Sequence, residues 1–174
     1  MTLKTAKDDS TATPSGTASD ALREDERFMK AALQQARKAA KLGEVPIGAI
    51  VVCDREIVAR GYNRRETDAD PAGHAEFIAM KRASRKLDRW RLSGCTVYVT
   101  LEPCLMCAGL MHQARIDRCV FGAADPKAGA LGTLYAINED ARLNHTFDVT
   151  PGVCEDECAT LLKEFFAALR GKKK

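Results

Sequence analysis

His74, Cys104 and Cys107 have the residue types and spacing to hold one divalent metal ion, and Glu76 stands two positions after the histidine. One imidazole and two thiolates give a tetrahedral zinc three protein ligands and leave its fourth position to water, as in catalytic rather than structural zinc sites. A carboxylate that does not ligate can then carry the proton that an activated water must lose. The chemistry implied is hydrolysis with a resident proton shuttle. A lone glutamate on a helix is ordinarily a solvated residue, and a bare C-x-x-C equally fits a redox pair or half of a zinc finger. The pairing of His74-Ala75-Glu76 with a downstream Pro103-Cys104-Leu105-Met106-Cys107 is far more specific than either part alone. A second C-x-x-C is absent, since Cys154 and Cys158 are four apart. His112 is a weak candidate for a fourth ligand, which would close the water position.

These side chains need elements that bring them together. A helix is predicted to begin at or just after His74 and to reach about Leu87. The β-branched and aromatic run Cys95 to Leu101 reads as a strand. Pro103 then sits where a helix start tolerates its missing N–H, and that helix carries Cys104, Cys107, Leu110 and Met111. Residues three apart share a helix face, so the two thiols can grip one ion. His74 lies thirty positions before Cys104, and the intervening segment is long enough for a crossover that packs the two helices side by side. Both ligand sets lie near predicted helix N-termini, where the backbone dipole favours thiolate.

Upstream, Phe28, Ala32, Ala36 and Ala39 recur at helical spacing and lead to a stop at Gly43. Pro46 to Val52 reads as a buried strand, Asp54-Arg55 as a turn, and Glu56 to Gly61 as its partner strand. Residues 62–73 form a polar loop. Asp117 to Phe121 is a fourth strand, Gly122 to Thr133 a functional loop, and 145–149 a last strand. Leu161, Phe165 and Leu169, beside Leu162 and Phe166, stripe a closing helix. Two adjacent strands followed by strand–helix alternation imply an α/β chain with a mixed sheet covered by helices.

The 174 residues suit one domain. Residues 1–20 are Thr-, Ser-, Ala- and Asp-rich and are expected to be a disordered tail; 21–170 form the domain and 171–174 a basic tail. The N-terminal stretch has no apolar core or small-residue cleavage site, so the expected location is the cytoplasm. Seven cysteines without an export signal argue for reduced thiols rather than a disulfide framework. Cys53, Cys95 and Cys119 are expected in the core, with Cys154 and Cys158 buried as small apolar residues. Net charge is +3; residues 1–27 carry −2, so the remainder carries +5 and ends in Arg170-Gly171-Lys172-Lys173-Lys174. A basic body suits a phosphate backbone, although a solubilising surface would read the same way.

Over about residues 25–170 the chain resembles the bacterial-type tRNA adenosine deaminases of the cytidine deaminase-like superfamily. The resemblance rests on Glu44-Val45-Pro46-Ile47-Gly48-Ala49, Gly61-Tyr62-Asn63, Asp70-Pro71 before His74-Ala75-Glu76, and Thr100-Leu101-Glu102-Pro103-Cys104-Leu105-Met106-Cys107-Ala108-Gly109. It continues through Arg115-Ile116, Phe121-Gly122-Ala123 and the loop from Asp125 to Gly132. Gly73 departs from the pattern, which has alanine there, and glycine is expected to loosen that loop. The resemblance implies a three-layer α/β/α fold with a central five-stranded mixed sheet, and one Zn²⁺ per subunit on His74, Cys104 and Cys107. It also implies deamination of adenosine to inosine at wobble position 34 of a tRNA anticodon loop, in a homodimer. Glu76 would move the protons and Asn63 would contact the purine. The base must be splayed out of a single-stranded loop. Asp125, Phe166 and Arg170 are then candidates to hold substrate: Asp125 at the ribose 2′-OH, and one of Phe165 and Phe166 stacking while the other packs in the core. The zinc core alone also fits deaminases of a free base, nucleoside or nucleotide, of guanine or deoxycytidylate type. A zinc-stabilised RNA-binding module without turnover would leave Glu76 without a task.

Overall fold

The computed structural model describes residues 17–172. Residues 1–16 of the expected tail, and 173–174, lie outside the described residues. The first helix, α1, runs Ala18–Lys41, so 18–20 belong to it rather than to a tail. Its start is set by a reciprocal cap: the Thr17 hydroxyl accepts from the Asp20 backbone N–H, and the Asp20 carboxylate accepts from that of Thr17. The last helix reaches Lys172, two residues beyond the expected domain end.

Five strands follow in the order β2-β1-β3-β4-β5: β1 Gly48–Cys53, β2 Glu56–Tyr62, β3 Cys95–Leu101, β4 Arg118–Ala123 and β5 Asp148–Thr150. β1 pairs antiparallel with β2 and β3, whereas β4 is parallel to β3 and to β5. The sheet is therefore mixed, as expected. Asp54 and Arg55 both adopt positive φ, the tight turn that joins β1 to β2. β5 starts later than the predicted 145–149. His145 and Phe147 are used otherwise, His145 Nε2 donating to the Ile116 carbonyl and Phe147 stacking on the His145 ring.

Helices cover both faces. On one, α2 (Ala75–Lys86) and α3 (Leu105–Ala114) pack on Ala49, Val51, Val97, Val99, Cys119 and Phe121. On the other, α1 and α4 (Glu155–Lys172) pack on Ile50, Val52, Tyr98 and Val120. Alternate residues of each strand thus feed two cores, the pattern of a sheet buried on both sides. α1 is pinned by Asp25, whose carboxylate accepts from Tyr98 Oη at 2.8 Å and from two guanidinium nitrogens of Arg118 at 3.0 and 2.6 Å. Cys53, Cys95, Cys119 and Cys158 are buried as expected, while Cys154 is only half-buried. Along the stripe on α4, Phe166 and Leu169 remain exposed.

One glycine fixes the height of α2. A β-carbon at Gly61 would land on the carbonyl oxygen of Ala75 and on the backbone of Ala79. The first turn of α2 therefore rests directly on β2, with Ala75, Ala79 and Ala83 fully buried beneath it. That contact sets where the residue before Ala75 stands.

Candidate active site

His74 is the N-cap of α2 and Cys104 the N-cap of α3, both in extended backbone. Cys104 thus precedes the helix rather than sharing its face: α3 starts at Leu105, two residues after Pro103. An N-cap side chain and the third helical residue still converge, so Cys107 meets Cys104 across the first turn. His74 Nδ1 lies 3.6 Å from Cys104 Sγ and 3.5 Å from Cys107 Sγ. The donor atoms of all three lie within 4.8 Å of one another. Zinc–sulfur and zinc–nitrogen bonds of ordinary length at a tetrahedral angle put N and S roughly 3.6 Å apart, so the donors are spaced for such an ion. Among the described residues no fourth histidine, cysteine or carboxylate joins the group. His112 is engaged elsewhere, its Nδ1 donating to the His145 carbonyl at 3.0 Å.

The electrostatics suit a cation. The Cys107 thiol beside Cys104, followed by His74, holds the Cys104 thiol well below its ordinary pKa. Cys104, with burial, pushes the Cys107 thiol far up. His74 is raised, chiefly by its contact with Cys104. Glu76, in the first turn of α2 and only 4% exposed, is pushed by burial up to about 7.

These groups open into a cavity of ≈ 410 Å³. Asn63, His74, Glu76 and Cys104 form its floor, and Asp125, Lys127 and Phe166 stand on its rim. Asn63 follows β2 and is buried, its Nδ2 donating to Glu44 Oε2 at 3.3 Å. Asp125 Oδ1 accepts from the backbone N–H groups of Lys127 and Ala128. Phe165 is half-buried and Phe166 exposed, with their rings edge-to-face. Arg170 is exposed on α4 and does not line the cavity. Gly73 is not loose: its N–H donates to Asp70, its carbonyl accepts from Arg64, and a β-carbon would sit 3.0 Å from the Asp70 carbonyl.

Comparison with known proteins narrows the chemistry. The MafB19-like deaminase family pattern matches residues 23–170. The tRNA-specific adenosine deaminase of Bacillus subtilis is 49% identical over 151 residues, 87% of this chain and 94% of the relative. The chain belongs to the tRNA-specific adenosine deaminase family. A solved structure from work on A-to-I editing by tRNA:A34 deaminases at the wobble position shares this fold at a TM-score of 0.76 and 42% identity. That match covers 78% of this chain and 99% of the other. A guanine deaminase from Bacillus subtilis is more distant, at a TM-score of 0.56 and 34% identity, with 62% and 69% covered. The resemblance read from the sequence, and the three-layer fold with a five-stranded mixed sheet, are borne out.

Two carboxylates of the tRNA deaminase motifs escape a reading by residue type. Glu44 is buried beside Asn63 and accepts from the Thr67 backbone N–H at 2.6 Å. Burial works against its charge, but the Thr67 bonds prevail and hold it below its ordinary pKa. Glu102, 2% exposed, sits under the 124–134 loop. The only sequence signal for either was membership in the Glu44-to-Ala49 and Thr100-to-Gly109 motifs.

Proposed function

We propose that this chain hydrolyses the exocyclic amine of adenosine at wobble position 34 of a tRNA anticodon loop, yielding inosine and ammonia. The observation that carries the reading is the buried Glu76 carboxyl beside three metal-spaced donors at the bottom of an open pocket. His74, Cys104 and Cys107 would hold one Zn²⁺, whose Lewis acidity makes a water molecule a competent nucleophile near neutral pH. Glu76 accepts a proton from the attacking water and places it on adenine N1 as the C6–O bond forms. It then takes the proton of the new C6 hydroxyl and delivers it to the departing amine as the C6–N6 bond breaks and the C6 carbonyl forms, so its carboxyl ends as it began. Asn63, its amide held by Glu44, contacts the purine edge. The rim above suits a base swung out of a single-stranded loop: Phe166 offers a ring to a neighbouring base and Arg170 a charge to a phosphate farther along α4. Asp125 offers its second carboxylate oxygen to the ribose 2′-OH.

A homodimer is part of this reading. Leu105 and Met106 of α3 and Leu134 and Tyr135 of the nearby loop are exposed apolar side chains, which supports burial by a second copy. So is a cytoplasmic site of action; no helix among the described residues is long and apolar enough to cross a membrane.

The test is to incubate zinc-loaded protein with an anticodon stem-loop, with guanine and with deoxycytidylate, and to sequence the reverse-transcribed RNA. Guanosine read at the wobble adenosine, with no ammonia from the small compounds, is the expected result. Ammonia from guanine alone would favour the free-base reading that the guanine deaminase fold allows. A Glu76→Ala protein with function intact would favour a binding module.

A further inference from the structure

The Gly122-to-Thr133 segment has almost no regular structure, yet it supplies the pocket rim through Asp125, Lys127 and Ala128. Something other than a sheet or helix must give it one shape. Every polar atom of the Glu102 carboxylate is committed to it. Oε2 accepts from the Asp125 backbone N–H at 3.0 Å and from the Thr133 hydroxyl. Oε1 accepts from the backbone N–H groups of Leu131 and Thr133, each at 3.0 Å. Four donors from three residues of one loop thus converge on one buried anion. The loop's midpoint closes onto the same group, because a β-carbon at Gly129 would overlap the Glu102 carboxylate. Glu102 is also the second residue before Cys104, and the loop bonds to that stretch directly: Ala130 N–H donates to the Pro103 carbonyl at 2.9 Å, and Gly129 bridges Cys104.

We infer that Glu102 is a positioning residue: it fixes the 124–134 loop as a substrate-binding wall and ties that wall to the β3–α3 connection that carries Cys104. This rests on the functional reading above and deepens it by separating two jobs. Glu102 touches none of the reacting groups, so its loss weakens the hold on the RNA flanking the target base rather than the proton transfers. A wall that grips ground state and transition state alike acts on KM and leaves kcat. Its peptide donors are satisfied by charge-assisted bonds that a neutral amide does not replace. Glutamine at 102 would turn an NH₂ toward two of the four donors.

The test uses full-length zinc-loaded protein and two variants, Glu102→Gln and Thr133→Val. Amide hydrogen exchange is read at Asp125, Leu131 and Thr133, alongside zinc per chain, KM and kcat on an anticodon stem-loop. For Glu102→Gln we expect exchange at these three amides to rise at least about tenfold, KM to rise about tenfold, and kcat to stay within about threefold, with zinc unchanged. Thr133→Val, which removes one donor and no charge, should move exchange and KM in the same direction by a smaller factor. It decides the matter alone if the glutamine variant fails to fold. Unchanged exchange, unchanged KM, or a fall in kcat without a rise in KM overturns the inference. Wild-type protein that makes no inosine sinks the functional reading instead, and exchange then decides the role of Glu102 by itself.

Discussion

Two buried glutamates line the pocket and have opposite chemistry. Glu76 meets only the metal-spaced donors and its own backbone N–H; burial dominates and its carboxyl is raised to about 7. Glu102 is as deeply buried, but Thr133, Asp125 and Leu131 donate four hydrogen bonds to it, which outweigh the burial and hold it below its ordinary value. Burial alone therefore does not say what a carboxylate is for. The supply of donors does: a carboxylate left without them can take and release protons, and a saturated one is a structural anchor.

The sharpest way to break this contrast is Glu76→Gln. Removing the shuttle should lower the rate of inosine formation by about 10² to 10⁴, the span of general acid–base catalysis, with melting temperature not reduced because no donor is orphaned. Single-turnover assays and calorimetry on the same preparation read both. A rate within tenfold of wild type would place the proton transfers elsewhere.

Glu102→Gln should do the reverse to stability, costing about 2–3 kcal/mol through unsatisfied buried N–H groups, read by urea unfolding. Its pH dependence has a defined sign. The folded Glu102 value lies below the unfolded one, so its contribution is fully present above the unfolded carboxyl pKa of about 4.3 and is lost as pH falls through the folded value. Wild-type stability should therefore fall more steeply in acid than that of Glu102→Gln. Parallel curves would mean that the four bonds do not prefer the charged form. Thr133→Val is the smallest expected effect, about 1 kcal/mol, because three donors remain on the carboxylate.

The two glutamates also differ in how legible they were. Glu76 could be read from the sequence because its partners are side chains of distinctive type at a distinctive spacing. Glu102 could not, since three of its four donors are backbone N–H groups 23 to 31 residues away, which no residue type marks. The same division runs through the fold. Strands β1 to β4 and helix α2 announced themselves by apolar runs and turn residues. The start of α1 needed the Thr17–Asp20 cap, and β5 was displaced because His145 and Phe147 anchor to neighbours rather than pair. On α4 the apolar stripe was visible, but not that part of it stays uncovered beside the pocket.

The proposed reaction needs a metal with three protein ligands and an open position facing Glu76, and zinc K-edge absorption on the loaded protein tests that arrangement most directly. We predict two sulfur neighbours at about 2.3 Å and two nitrogen or oxygen neighbours near about 2.0 Å, the second of them exchangeable solvent. A third sulfur, a second histidine ring, or no stoichiometric zinc would contradict it.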